Sequence, residues 1–247
     1  MPSYVLLSVK GSPGVTTTAT ALAAAGTGEG RTLVVELDPS GGSVQVATDT
    51  PAAPGVVEVA GRLRWGGSST TVDDSVTFLP EGVPSLLAPT SGLVAASVIE
   101  SAAARWLPAL HGAALDVIVD AGRWDPGQPS ARRIHGGDLV ALVCRPTMDG
   151  VEHGRHLLDR LRETAQCPVV AVVVGGQPYD PAEVADSLGL PLAGTIAWDP
   201  RGMARLWDDG VSRGWFRTAL ARSALDTLDG LAELAEGIGP AKRAAPW

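Results

Sequence analysis

A single short stretch constrains the fold of this chain more than any other. Lys10-Gly11-Ser12-Pro13-Gly14-Val15-Thr16-Thr17-Thr18 follows an apolar run, Tyr4-Val5-Leu6-Leu7-Ser8-Val9, and leads into small residues over 16–25. That order reads as a buried strand, a tight glycine-rich turn and a helix start. Backbone N–H groups of such a turn and the positive end of the helix converge on one spot, which suits a phosphate. Gly11 and Gly14 carry no Cβ and allow close backbone approach. Thr16 places a hydroxyl where it can ligate Mg²⁺. The common phosphate loop, G-x-x-x-x-G-K-[ST], puts a lysine directly after its last glycine, and here that position is Val15. Taken alone, the stretch also reads as a Gly/Pro turn ahead of a buried helix.

The same plan returns downstream. Thr32-Leu33-Val34-Val35-Glu36-Leu37-Asp38-Pro39 is a β-branched run that delivers carboxylates to a strand end. Leu115-Asp116-Val117-Ile118-Val119-Asp120-Ala121-Gly122 ends in an acid and then Ala-Gly. Leu139-Val140-Ala141-Leu142-Val143-Cys144 runs to Arg145-Pro146. Val169-Val170-Ala171-Val172-Val173-Val174 is apolar on both faces, as a central parallel strand is. Leu192-Ala193-Gly194-Thr195-Ile196 precedes the turn Ala197-Trp198-Asp199-Pro200. Helical spacing covers 56–63, 99–109, 148–165, 181–188 and 201–237, and short strands are expected at 76–80 and 85–89. Residues 65–71 are Gly/Ser-rich and expected to be mobile. Strands alternating with helices predict an α/β fold, a doubly wound, mostly parallel sheet with helices on both faces. One domain over 1–237 and a short tail over 238–247 are expected.

Composition narrows the partners. The chain has 247 residues, 45% of them hydrophobic, enough for one large core. A net charge of −8 and a pI near 4.9 argue against broad nucleic-acid binding. Cys144 and Cys167 show neither metal spacing nor a disulfide framework, which predicts a reducing, cytoplasmic setting. No leader and no apolar run of transmembrane length is read in the sequence.

The motifs together resemble the ParA/MinD family of P-loop ATPases over most of the chain, from Val5 to about Trp207. The loop is similar to the family's deviant Walker A, K-G-G-x-G-K-[ST]-[ST]. Its front lysine matches Lys10, Val15 replaces the second lysine, and Ser12-Pro13 replaces Gly-Val. Glu36-Leu37-Asp38-Pro39-Ser40-Gly41 resembles the D-x-D-P-x-G segment, and Asp120 matches the Walker B acid. The resemblance implies ATP and Mg²⁺. Nucleotide would be held by Lys10, Gly11, Ser12, Pro13, Gly14, Val15, Thr16 and Thr17, with Trp198 and Asp199 in the turn that packs on adenine. Thr16 and Asp120 would hold Mg²⁺, Asp38 would place the attacking water, and the Gly122 amide would sense the γ-phosphate. Lys10 would reach across a homodimer to the partner's phosphates.

Some positions stay open. Trp198 either stacks on a base or covers core, and Gly175-Gly176-Gln177 stands where the family often has an adenine-reading Asn. Arg123 is a surface arginine or a substitute for the missing lysine. Arg201, Arg205, Arg213, Arg217 and Arg222 form a solvated face or a modest patch for non-specific DNA. Leu220, Leu225, Leu228, Leu231 and Leu234 make an apolar stripe whose polar side is acidic, which predicts a packed core helix over a membrane helix. The implied function is a positional switch that dimerises on ATP and hydrolyses it slowly to place a cargo: DNA, a septum, or pilus or secretion machinery. A partner protein would activate hydrolysis. The alternative is an inactive pseudo-ATPase that recruits a partner as a scaffold, and Val15 argues for it.

Overall fold

The computed structural model describes residues 2–26, 32–65, 72, 74–111 and 115–237. In chain order the elements are β1 (Ser3–Ser8), α1 (Val15–Gly26), β2 (Thr32–Glu36), α2 (Val44–Thr48), α3 (Val56–Arg64), β3 (Thr77–Phe78) and β4 (Pro84–Leu86). There follow α4 (Gly92–Ser101), α5 (Trp106–Leu110), β5 (Asp116–Arg123), β6 (Leu139–Cys144), α6 (Met148–Ala165) and β7 (Val169–Val174). The last elements are α7 (Pro181–Leu188), β8 (Leu192–Ile196), α8 (Pro200–Asp209) and α9 (Ala219–Glu236).

The strands form one eight-stranded sheet in the order β3-β4-β2-β5-β1-β6-β7-β8. All pairings are parallel except β3 with β4, at one edge. β1, β2, β6 and β7 are buried throughout and β5 is buried over all but its two end residues, which accounts for their near-continuous apolar runs. Residues alternate between two cores. Val5, Leu33, Val119 and Leu142 pack with α3, α4, α5, α6 and α7 on one side, and Leu6, Val34, Ile118 and Val143 pack with α1, α8 and α9 on the other. This is the doubly wound α/β sheet that the sequence predicts. Helix α1 is almost wholly buried between the sheet and α9, and its Ala-rich surface lets both approach closely.

Two expected helices differ. The helix expected over 99–109 starts earlier, at Gly92, stops at Ser101 and resumes as α5. Pro108 falls in the first turn of α5, where its missing N–H leaves no bond unmade, and the Trp106 indole donates to the Ile99 carbonyl at 3.1 Å across the break. The helical run expected over 201–237 is split into α8 and α9, because Gly210, at φ 63°, ends α8 and Thr218 caps α9. Residues 66–71 of the Gly/Ser-rich segment and the tail over 238–247 lie outside the described residues. Among the described residues no single helix is long and apolar enough to cross a membrane.

Candidate functional site: the phosphate loop and the carboxylates beside it

The strand order puts the loop after β1 at the middle of the sheet, with β5 and β2 on one side and β6 to β8 on the other. Open α/β sheets bind ligands at this carboxyl edge. Gly11 (φ 67°) and Gly14 (φ 101°) hold the loop in conformations that favour glycine. The Thr18 amide donates to the Gly14 carbonyl at 2.8 Å, starting α1. The Ser8 carbonyl accepts from the Trp124 amide at 2.7 Å, which ties the loop's base to the end of β5. Lys10, Gly11 and Ser12 are exposed, whereas Val15 is 7% exposed and belongs to the apolar cluster on the α1 side. The residue in the lysine position is therefore core.

Register sets the acids. Glu36 pairs with Asp120 across β2 and β5, and Leu6 of β1 pairs with Asp120 on the other side. Asp120 is 1% exposed; its Oδ1 accepts from the Gly122 amide at 2.9 Å and its Oδ2 has no hydrogen-bond partner. Burial pushes its carboxyl up to about 7; the Thr16 hydroxyl pulls it down, and the charges of Glu36 and Asp38 push it further up. A buried carboxylate with one free oxygen, facing a threonine hydroxyl at a phosphate loop, is the donor set a hard divalent cation takes. Among the described residues no three His, Cys, Asp or Glu side chains converge on a metal-sized site. A cation here would thus be held by Thr16, Asp120 and the oxygens of its ligand.

Glu36 has a different task. Its Oε1 accepts from the Ser43 and Val44 amides at 2.9 and 3.0 Å, and its Oε2 from the Ala88 amide at 3.1 Å. It caps α2 and ties that helix to the end of β4, and burial raises its pKa although these bonds oppose the rise. Asp38 is half-buried, accepts from the Ser40 amide at 2.8 Å, and stands directly against Gly122. Gly122 has φ 59°, and a Cβ there would strike the Asp38 carboxylate. Gly122→Ala is therefore expected to lower stability by about 2 kcal/mol or more, from left-handed strain and the clash together. Thermal unfolding of the variant checks this, and an unchanged midpoint would count against the Asp38–Gly122 contact.

Two arginines with no sequence motif join the site. Arg133, 1% exposed, donates to the carbonyls on both sides of Gly122. Arg145, at the end of β6, lines a cleft with Lys10, Gly11, Ser12, Pro13 and Thr147, and its guanidinium carbon lies 4.1 Å from the centroid of the Trp198 ring. Trp198 is 61% exposed, so it does not cover core. Asp199 joins two helix starts: its carboxylate accepts from the Gly202 amide at 2.9 Å in α8 and from the Ala219 and Leu220 amides at 3.1 and 3.3 Å in α9. These bonds lower its pKa. Gly176 and Gln177 are exposed beyond β7, and Arg123 is exposed on β5. Arg201, Arg205, Arg213, Arg217 and Arg222 are all exposed.

Comparison with solved structures decides the fold type. A ParA family ATPase from Chlorobium tepidum TLS superposes with a TM-score of 0.73 at 16% identity, over 93% of this chain and 98% of its own. The fold is that of the ParA/MinD P-loop ATPases. The septum site-determining protein MinD from Pyrococcus horikoshii OT3, complexed with Mg-ADP, matches at TM-score 0.65 and 15% identity, over 97% and 99% of the two chains. A McdA variant from Cyanothece in complex with ATP matches at 0.66 and 16%, over 94% and 96%. No protein-family model and no curated protein matches the sequence. On this ParA/MinD fold the Lys10–Thr18 loop, Asp38 and Asp120 meet at one end of the sheet.

Proposed function

We propose that this protein is an ATP-binding, Mg²⁺-dependent positional switch of the ParA/MinD type, a weak ATPase working in the cytoplasm. The observation that carries this reading is the buried Asp120, whose free Oδ2 and Thr16 neighbour stand at a glycine-turned loop. MinD with Mg-ADP and McdA with ATP, which share this fold, support the same ligands here. In this reading Thr16 and Asp120 hold Mg²⁺, which when bound neutralises charge on phosphate oxygens. The loop amides from Gly11 to Thr17 cradle the phosphates, and Asp38 orients the attacking water. Lys10 reaches the phosphates of a second protomer, so that ATP joins two copies and hydrolysis separates them.

Trp198 offers its face to the base, and Asp199 fixes the turn that carries it. Calorimetric titration with ATP and Mg²⁺ tests the reading: binding is expected, and Trp198→Ala should weaken it by about 1–3 kcal/mol, the worth of one stacked base. Undiminished affinity in that variant would remove Trp198 from the site.

The burial of Val15 in the core favours a second reading, a pseudo-ATPase that recruits a partner without hydrolysis. Absence of heat in the same titration would select it. The cargo is DNA, septum, or pilus or secretion machinery, and a partner protein would stimulate hydrolysis. DNA would be met by Arg201, Arg205, Arg213, Arg217 and Arg222 through salt-sensitive phosphate contacts. A low-salt gel shift that survives Arg213→Glu with Arg217→Glu would exclude that patch.

A further inference from the structure

Among the described residues Arg133 is the only buried lysine or arginine. It belongs to no motif, and the function above gives it no task. Its Nε and Nη2 donate to the Ala121 carbonyl at 3.2 and 2.6 Å, and Nη2 also donates to the Arg123 carbonyl at 3.0 Å. Its Nη1 donates to the Ser130 carbonyl at 2.9 Å. All four bonds end on main-chain oxygens, and two of the three acceptors flank Gly122. Asp38 and Asp120 lie within Coulombic reach of the guanidinium.

A buried cation is costly to desolvate, and an apolar side chain of similar volume often serves a core as well. Packing alone therefore gives no reason for an arginine at this place. The geometry supplies one. Gly122 turns the chain at φ 59° against the Asp38 carboxylate, and a turn built on glycine is free to adopt other conformations. A planar fork that binds the peptide oxygens before and after that glycine removes the freedom, which a point-charge ammonium does less well.

We propose that Arg133 is a positioning residue that clamps the carbonyls of Ala121 and Arg123, the residues on either side of Gly122, holding the Gly122 turn against Asp38 before nucleotide arrives. The clamp is a property of the free protein, while its consequence for hydrolysis rests on the ATPase reading. The turn that follows Asp120 then needs no ligand to order it. Asp38 meets its water in a site whose geometry and countercharge are already fixed, as preorganised catalysis requires.

The test uses the full chain with Arg133→Met, which keeps length without the fork, and Arg133→Lys, which keeps charge without the fork. Amide hydrogen exchange is read over 119–125 in nucleotide-free protein. Loss of a charge-assisted bond predicts exchange about tenfold faster or more in that segment, with β1 and β6 as protected as in the wild type. In Arg133→Met, ATP affinity should stay within about threefold of wild type while turnover falls about tenfold or more; Arg133→Lys should fall between. If Arg133→Met does not fold, the lysine variant decides alone. Wild-type exchange at the turn in the variants that fold overturns the clamp, and does so even if the wild type hydrolyses no ATP. Affinity and turnover falling together, with a loosened core, would make Arg133 a structural residue only.

Discussion

Replacing Lys10 by alanine is expected to lower ATP turnover by about 10³-fold or more, the range over which a cation supplied to a phosphoryl transition state acts. The reason lies in the loop. Val15 occupies the usual lysine position and is packed in the core, so it brings no charge to the phosphates. Lys10 is then the one ammonium that the loop offers, and it stands exposed at the loop's front edge. Phosphoryl transfer asks the protein for positioning and charge neutralisation above all. Nucleotide should still bind to Lys10→Ala, because the amides of Gly11 to Thr17 are untouched.

A mixing experiment separates reach across a dimer from action within one chain. Lys10→Ala and Asp38→Ala are each expected to be inactive. A mixed dimer contains one site with an intact Asp38 and an intact Lys10 from the opposite chain. Recovered turnover on mixing supports that arrangement, and no recovery, with dimers present, places Lys10 in its own chain's site.

Asp120→Asn should abolish Mg²⁺-dependent hydrolysis and at the same time stabilise the free protein. Its carboxyl sits near 7 in the folded chain, raised chiefly by burial, against an ordinary value of 3.8. The folded chain keeps that proton to about pH 7 and the unfolded chain only to about pH 4, so unfolding releases a proton in this window. The contribution of Asp120 to stability therefore falls as pH rises from about 4 to about 7 and is level above, a cost on the order of 4 kcal/mol. The amide has no charge to desolvate. Denaturant unfolding at pH 8 without nucleotide should show Asp120→Asn more stable than wild type, with a flatter pH profile. Glu36, also raised by burial, leaves part of the slope in place. Asp138, held well below the usual carboxylate range by His111 and then by Ser3, acts in the opposite sense and only below about pH 4. A variant less stable than wild type at pH 8 would mean that Asp120 is not strained by burial in the free protein.

The sheet and most of the candidate site were legible in the sequence because both rest on local pattern. Apolar runs ending in Gly, Asp or Pro announce parallel strands and what they deliver to the carboxyl edge, and β1, β5 and β7 fall where those runs do. The separate duties of Glu36 and Asp38 were not legible. Two residues apart on one segment, they part company because the amides of Ser43, Val44 and Ala88 close around the first. Arg133 was missed for a related reason: its acceptors are main-chain carbonyls, which leave no residue-type signature ten or twelve positions away. Trp198 could be placed on a strand end, but its partner Arg145 lies two strands across the sheet, and only the fold brings them together. The break between α8 and α9 hid behind an arginine-rich run with continuous helical spacing, where Gly210 was the one local sign.

The central claim is that this loop, with an alkyl side chain in place of its second lysine, still grips a triphosphate firmly enough to join two chains. Sedimentation of the purified protein with ATP and Mg²⁺, with ADP and Mg²⁺, and with neither tests it in one series. The account predicts a doubled mass with ATP alone, lost in Lys10→Ala. An unchanged mass in all three conditions, with no nucleotide travelling with the protein, would contradict it.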